Sequence, residues 1–290
     1  MLSGAIAAMI TPLVDGKAEE KSLRRYVRWL IDGGIEGIFA LGTTGEGVLL
    51  TDDTWRAVMQ AVTAEAQGSI PVAVQCGSIQ LDITRRRIEW ALHAGADAIA
   101  LLPPLYYTYQ DAQISEYYSL LLREYPSAAV YLYNIPKYAN NAISPAVFAA
   151  LRRDFPNIRG IKDSTATLAS LEAMTAARCG DVLTGSDALV QETIDLGGAG
   201  VVSGAAAALP EFVAAAWREG TAGHGEKAQQ LKALVKILHR HGTIASVRAL
   251  LSQRGFDANR AIFPGSAVSS DESARLWADV QGALADFPLR

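Results

Sequence analysis

From the first residues to about Gly204, short β-rich apolar runs alternate with stretches of helical hydrophobic period, and no linker or low-complexity break divides them. Strands separated by helices imply parallel pairing through crossover connections. The pattern predicts strands over residues 5–10, 37–41, 72–75, 98–102, 129–133, 158–162, 182–185 and 200–203. Eight such strands point to an α/β fold, a closed (β/α)8 TIM barrel, ahead of a doubly wound open sheet. A weak internal echo agrees: Gly33-Gly34-Ile35-Glu36-Gly37-Ile38, Ala94-Gly95-Ala96-Asp97-Ala98-Ile99 and Gly197-Gly198-Ala199-Gly200-Val201-Val202. Each puts glycine after a helix and before an apolar strand, where a left-handed cap is needed. Gly198-x-Gly200 precedes a strand instead of joining strand to helix, so a dinucleotide loop is excluded by context.

After Leu209-Pro210 the pattern holds only helices, around 211–218, 226–239, 244–254 and 271–283. The expected division is therefore a catalytic barrel over residues 1–206 and a C-terminal helical extension over 207–290, packed on the barrel or on a neighbour. With half its residues hydrophobic, a chain of 290 residues can bury a barrel core as one main domain.

Charge narrows the partners. The 26 basic and 30 acidic residues leave a net charge of −4 with no basic block, which argues against nucleic acid. The apolar start, Met1 to Ile10, has no positive flank, and Pro12 and Asp15 stop it short of a membrane span. Cys76 and Cys179 are far apart and form no metal or disulfide pattern, which favours a reducing, cytoplasmic setting.

Chemistry enters with Lys162, in Arg159-Gly160-Ile161-Lys162-Asp163-Ser164, at the end of the sixth predicted strand. A lysine at a barrel mouth that loses part of its hydration falls in pKa and supplies neutral amine, the requirement for attacking a ketone and forming a Schiff base. The bland alternative is a lysine that snorkels to water or pairs with Asp163. The second strand leads into Gly42-Thr43-Thr44-Gly45-Glu46-Gly47, whose hydroxyls and amides suit a carboxylate, or equally a tight turn capping the next helix. It lacks the Gly-Lys-Ser/Thr ending of a nucleotide loop. Alternation points Tyr131 and Tyr133 the same way, inward in a barrel, where a phenol near the amine can pass protons or simply fill the core.

These residues together resemble the dihydrodipicolinate synthase and N-acetylneuraminate lyase family of class I pyruvate-dependent aldolases. The motifs are Gly42-Thr43-Thr44-Gly45-Glu46, Tyr106-Tyr107, Tyr133-Asn134-Ile135-Pro136, Gly160-Ile161-Lys162-Asp163 and Leu183-Thr184-Gly185-Ser186-Asp187, and the likeness covers nearly the whole chain. The resemblance implies a Schiff base between Lys162 and the keto carbon of pyruvate, with no metal and no organic cofactor. It further implies a proton relay of Thr43, Tyr133 and, from an adjacent subunit, Tyr107. Thr44 would hold the pyruvate carboxylate, and Gly185 and Val202 would line the pyruvate pocket. A homotetramer of two tight dimers is implied as well.

The chain also departs from the pattern. Synthase members carry an arginine two residues beyond the proline of Tyr-Asn-x-Pro, where Tyr138 stands here; a phenol cannot replace a bidentate guanidinium. Sialic acid lyases place an acid after the residue matching Asp187, where Ala188 stands. The second substrate would meet Tyr138, Asn140, Asn141, Ser186, Asp187 and Ser203, a hydroxyl- and amide-rich set suited to a 2-keto-3-deoxy sugar acid, cleaved or dehydrated. Asn140-Asn141 equally reads as a turn, and Ser186 or Asp187 as a helix cap. Condensation of pyruvate with aspartate semialdehyde and a catalytically silent or ligand-sensing barrel are the alternatives. His93, His239, His241 and the run Arg85-Arg86-Arg87 read as solvated helix positions without a role.

Overall fold

The computed structural model describes residues 1–13, 17–260, 262 and 264–289; Asp15, expected to stop the N-terminal apolar run, lies outside them. Eight parallel strands close into one barrel in chain order: β1 Gly4–Ala8, β2 Gly37–Ala40, β3 Val72–Gln75, β4 Ala98–Leu101, β5 Val130–Asn134, β6 Ile158–Asp163, β7 Asp181–Thr184 and β8 Gly200–Ser203. The helices are α1 Glu20–Asp32, α2 Asp52–Ala66, α3 Leu81–His93, α4 Asp111–Glu124, α5 Pro136–Ala139, α6 Pro145–Asp154, α7 Leu168–Ala176, α8 Val190–Asp195, α9 Pro210–Thr221, α10 Glu226–Leu238, α11 Thr243–Gln253 and α12 Ser270–Ala283.

Strand alternation splits the core in two. Outward residues such as Ala5, Ile38, Val74, Ile161 and Val201 pack under the helices. Inward residues, among them Ile6, Phe39, Ala73, Ala100, Tyr131, Tyr133, Leu183 and Val202, fill the barrel. Tyr131 closes the bottom: its hydroxyl donates to Asp181 Oδ2 at 3.0 Å and accepts from the Leu2 amide. The repeated joint is built as its glycines predict, with Gly34, Gly95 and Gly197 at φ of +86°, +79° and +74°. Thr51 and Ser144 accept amide hydrogens to start α2 and α6, and Ser269 with Glu272 forms a capping box on α12.

Helix α9 follows β8 and packs on β1, with Pro210 and Ala214 against Gly33 and Gly34 at the end of α1. On that packing we propose to count α9 with the barrel and to begin the extension at α10 rather than at residue 207. In the arginine run, Arg85 and Arg86 pair with surface acids, but Arg87 is buried, its guanidinium 5.0 Å from the Trp55 ring centroid. Among the described residues no helix is long and apolar enough to cross a membrane.

Candidate active site

The carboxyl ends of the strands converge on Lys162. It pairs in register with Tyr133 on β5 and Leu183 on β7, and like them it turns into the barrel. Asp163 points the opposite way, where its carboxylate accepts from Asn134 Nδ2 and Thr165 Oγ1, both at 2.8 Å. The lysine therefore neither pairs with its neighbour nor snorkels to water: it is 4 % exposed. Its Nζ sits 3.9 Å from the Phe39 ring centroid and 4.1 Å from that of Tyr133. Burial pushes its pKa from 10.5 down to about 7, opposed by the Asp187 carboxylate. The two ring faces also favour the cation, by roughly 0.5–2 kcal/mol each, which softens the shift without reversing it.

Tyr133 Oη and Thr43 Oγ1 share a hydrogen bond of 2.9 Å. Burial raises the phenol to about 12, partly offset by its hydrogen bonds with Thr43 and Ser164. It is thus a neutral hydroxyl near neutral pH, able to relay a proton through hydrogen bonds without first ionising. Ser164 was not singled out by sequence, although it stands two residues after the lysine. It also explains Gly185: a Cβ there would fall 1.9 Å from Ser164 Oγ, so only glycine lets the β7 end approach the β6 end. Phe39 is the other residue missed; its period-2 position on β2 was the available signal.

Thr44 is half-buried next to Thr43, and Val202 is buried in the barrel interior. Tyr107 is exposed on the loop after β4, its ring edge-on to Tyr106 at 5.1 Å between centroids. Among the described residues no hydrogen bond joins Tyr107 to Thr43 or Tyr133 within the chain.

The residues expected to meet a second substrate separate into two groups. Asn140, in the left-handed region at φ +61°, spends its amide on Tyr106 O and Thr108 Oγ1. Asn141 ties Pro104 O, Tyr107 O and the Tyr109 amide together. Both stitch loops, as side-chain amides in turns do. Ser203 is fully buried and accepts from the Ala206 amide. None of these three borders the cavity of about 500 Å3 that Tyr138 lines with Lys137, His239, His241, Thr243 and Arg248. Its wall also includes Glu46, three residues from Thr43 in the loop after β2. His239 and His241 were given no role by sequence because α10 and α11 alone do not show what they face.

Ser186 is half-buried where the 3-10 turn Asp187–Leu189 begins, and its hydroxyl makes no cap bond. Asp187 is buried and accepts from the Ala205 amide through Oδ2 at 3.1 Å, while Oδ1 has no partner. Burial raises its pKa, with the Ser203 hydroxyl and the Ala205 amide acting against the rise. Among the described residues no group of three or more His, Cys, Asp or Glu side chains could hold a metal ion.

A closed (β/α)8 barrel with a buried, deprotonatable lysine at its carboxyl end and a Tyr-Thr hydroxyl pair beside it describes the class I aldolases and lyases. The sequence comparisons agree. Residues 1–283 match the dihydrodipicolinate synthetase family. An uncharacterised DapA-like lyase of Halobacterium salinarum is 32 % identical, covering 99 % of this chain and 95 % of its own. A 4-hydroxy-tetrahydrodipicolinate synthase of Thermus thermophilus is 31 % identical over 80 % of this chain and 78 % of its own. Among solved structures, the chloride-inhibited dihydrodipicolinate synthase of Acinetobacter baumannii complexed with pyruvate superposes with a TM-score of 0.89 at 25 % identity, covering 98 % of this chain and 99 % of that one. The chain belongs to the dihydrodipicolinate synthetase family and is a pyruvate-dependent lyase of the Schiff-base, class I aldolase type.

Proposed function

We propose that Lys162 is the Schiff-base lysine and that the enzyme makes or cleaves a carbon-carbon bond to pyruvate, with a 2-keto-3-deoxy sugar acid or related hydroxylated keto acid as the other partner. The observation that carries this is the buried amine, half neutral near pH 7 and set between Phe39 and Tyr133. The neutral amine attacks the keto carbon, and the carbinolamine loses water after a proton reaches its oxygen through Tyr133 and Thr43. The resulting iminium draws electrons and stabilises the enamine formed when the pyruvate methyl loses a proton. The enamine then adds to an aldehyde carbonyl, or arises by the reverse cleavage. Thr44 holds the pyruvate carboxylate in this reading, with Gly185 and Val202 against the pyruvyl unit.

Tyr138, Ser186 and Asp187 face the hydroxylated end of the substrate, with the cavity under α10 and α11 giving it room. Tyr138 supports this over the synthase reaction because it offers no bidentate cation for a second carboxylate. Release of pyruvate from a panel of keto-deoxy sugar acids tests the reading. Turnover with at least one member is expected; turnover only in condensing pyruvate with aspartate semialdehyde would overturn it. Presence of Lys162, Thr43, Thr44, Tyr107 and Tyr133 together argues against a silent barrel.

The assembly we propose is a homotetramer of two tight dimers in which Tyr107 completes the neighbour's relay. It is supported by the exposed ring pair Tyr106 and Tyr107, a costly surface for a chain that stays alone. We place the protein in the cytoplasm, in keeping with its free thiols Cys76 and Cys179.

A further inference from the structure

The loop that carries Thr43 and Thr44 is held in a conformation that its own residues resist. Leu41 and Glu46 both lie in the left-handed region, at φ +60° and +52°. Between and after them the backbone is pressed against its neighbours: a Cβ on Gly45 would meet Met9 O at 2.9 Å, and one on Gly47 would meet Leu41 O at 2.0 Å. Local bonds, Glu46 N to Thr43 O at 3.0 Å and Gly47 N to Gly42 O at 3.2 Å, close the turn without fixing it to the barrel. Thr11 on the segment after β1 holds one point of it, and a second anchor comes from the far end of the chain.

Arg248, on α11 of the C-terminal extension, is 1 % exposed. Its Nε and Nη2 both donate to Glu46 Oε2. Nη2 also donates to Thr11 O at 3.2 Å, and Nη1 to Ala258 O at 3.0 Å. Thr11 Oγ1 in turn donates to Gly45 O at 2.7 Å. One guanidinium thus joins the loop after β2, the segment after β1 and the chain after α11, which only a planar multi-donor group can do. The Thr43 hydroxyl, 2.9 Å from Tyr133 Oη, lies three residues from the Glu46 anchor.

We propose that Arg248 is a positioning residue for the reaction, acting through Glu46 to hold the Thr43-Thr44 loop against Tyr133. The helical extension is by this account part of the catalytic apparatus, not only a cover for the barrel. The proposal rests on the reading that Lys162 forms the imine.

The test follows the rate at which pyruvate and borohydride trap Lys162, together with the unfolding temperature, in the wild type, Arg248→Lys, Glu46→Gln, Thr43→Ala and the doubles with Thr43→Ala. Arg248→Lys keeps the charge but loses the fork, and Glu46→Gln keeps an acceptor of the same shape. Each is expected to remain folded and to slow trapping by about tenfold or more. In the Thr43→Ala background that slowing should shrink severalfold, because the relay hydroxyl is gone and only Thr44 is left to misplace. A merely structural role would slow trapping by the same factor with and without Thr43. Wild-type trapping rates in both folded variants, or factors that multiply in the doubles, overturn the proposal. No adduct on Lys162 in the wild type would instead overturn the imine reading and this proposal with it. If one single variant fails to fold, the other decides by the same comparison.

Discussion

At the residue scale, the chemistry depends on a lysine that gives up its charge near neutrality. With a folded pKa of about 7, imine formation with pyruvate should rise with pH through an apparent pKa near 7 and fall roughly tenfold per unit below it. A pH profile of trapping rate checks this; a midpoint near the ordinary 10.5 would mean that burial does not govern the amine. The same shift has a stability consequence of opposite kind. Because the folded pKa lies below the unfolded one, the cost of burying the ammonium is fully present below about 7 and is relieved as pH rises towards 10.5. Relative to Lys162→Met, the wild type should therefore gain stability across that window, measured as the difference in denaturant midpoint at each pH.

At the scale of elements, the strand ends must come close enough for two hydroxyls and one amine to meet. Gly185 is the narrowest point, with Ser164 Oγ 1.9 Å from where a Cβ would lie. Gly185→Ala should push Ser164 away from Tyr133 and lower turnover by about tenfold or more, and Ser164→Ala added to it should recover part of the loss. Recovery is read from kcat in the two variants; a double variant as slow as the single would place the damage elsewhere. The strands themselves were legible in sequence to within one or two residues, because alternation and the glycines of the helix-to-strand joints are local signals. Lys162, Thr43 and Tyr133 were legible for the same reason: each stands in a short motif at a strand end. Asn140 and Asn141 bond to the neighbouring loop after β4, in keeping with the turn reading, and Ser203 accepts from the Ala206 amide while its hydroxyl faces Asp187. The bond between Arg248 and Glu46 spans 202 positions and has no local signature at all.

At the scale of the whole molecule, α9 packs on β1 beside the end of α1, α10 and α11 pack on the turns after β7 and β8, and the chain where α10 meets α11 borders a cavity of about 500 Å3 with Glu46, Lys137 and Tyr138. Tyr107 stands apart from its own chain's Thr43 and Tyr133, which gives the assembly a direct test. Tyr107→Phe should lower turnover without lowering the unfolding temperature. Mixed assemblies of Tyr107→Phe and Lys162→Met protomers should regain activity, because each mixed pair then contains one complete site; no regain would remove Tyr107 from the relay. The measurement that bears most directly on the whole account is the simplest. The folded protein is incubated with pyruvate and borohydride, digested, and its peptides weighed. A stable reduced adduct on the peptide carrying Lys162 is the predicted result, and folded protein that carries no adduct there would contradict the account.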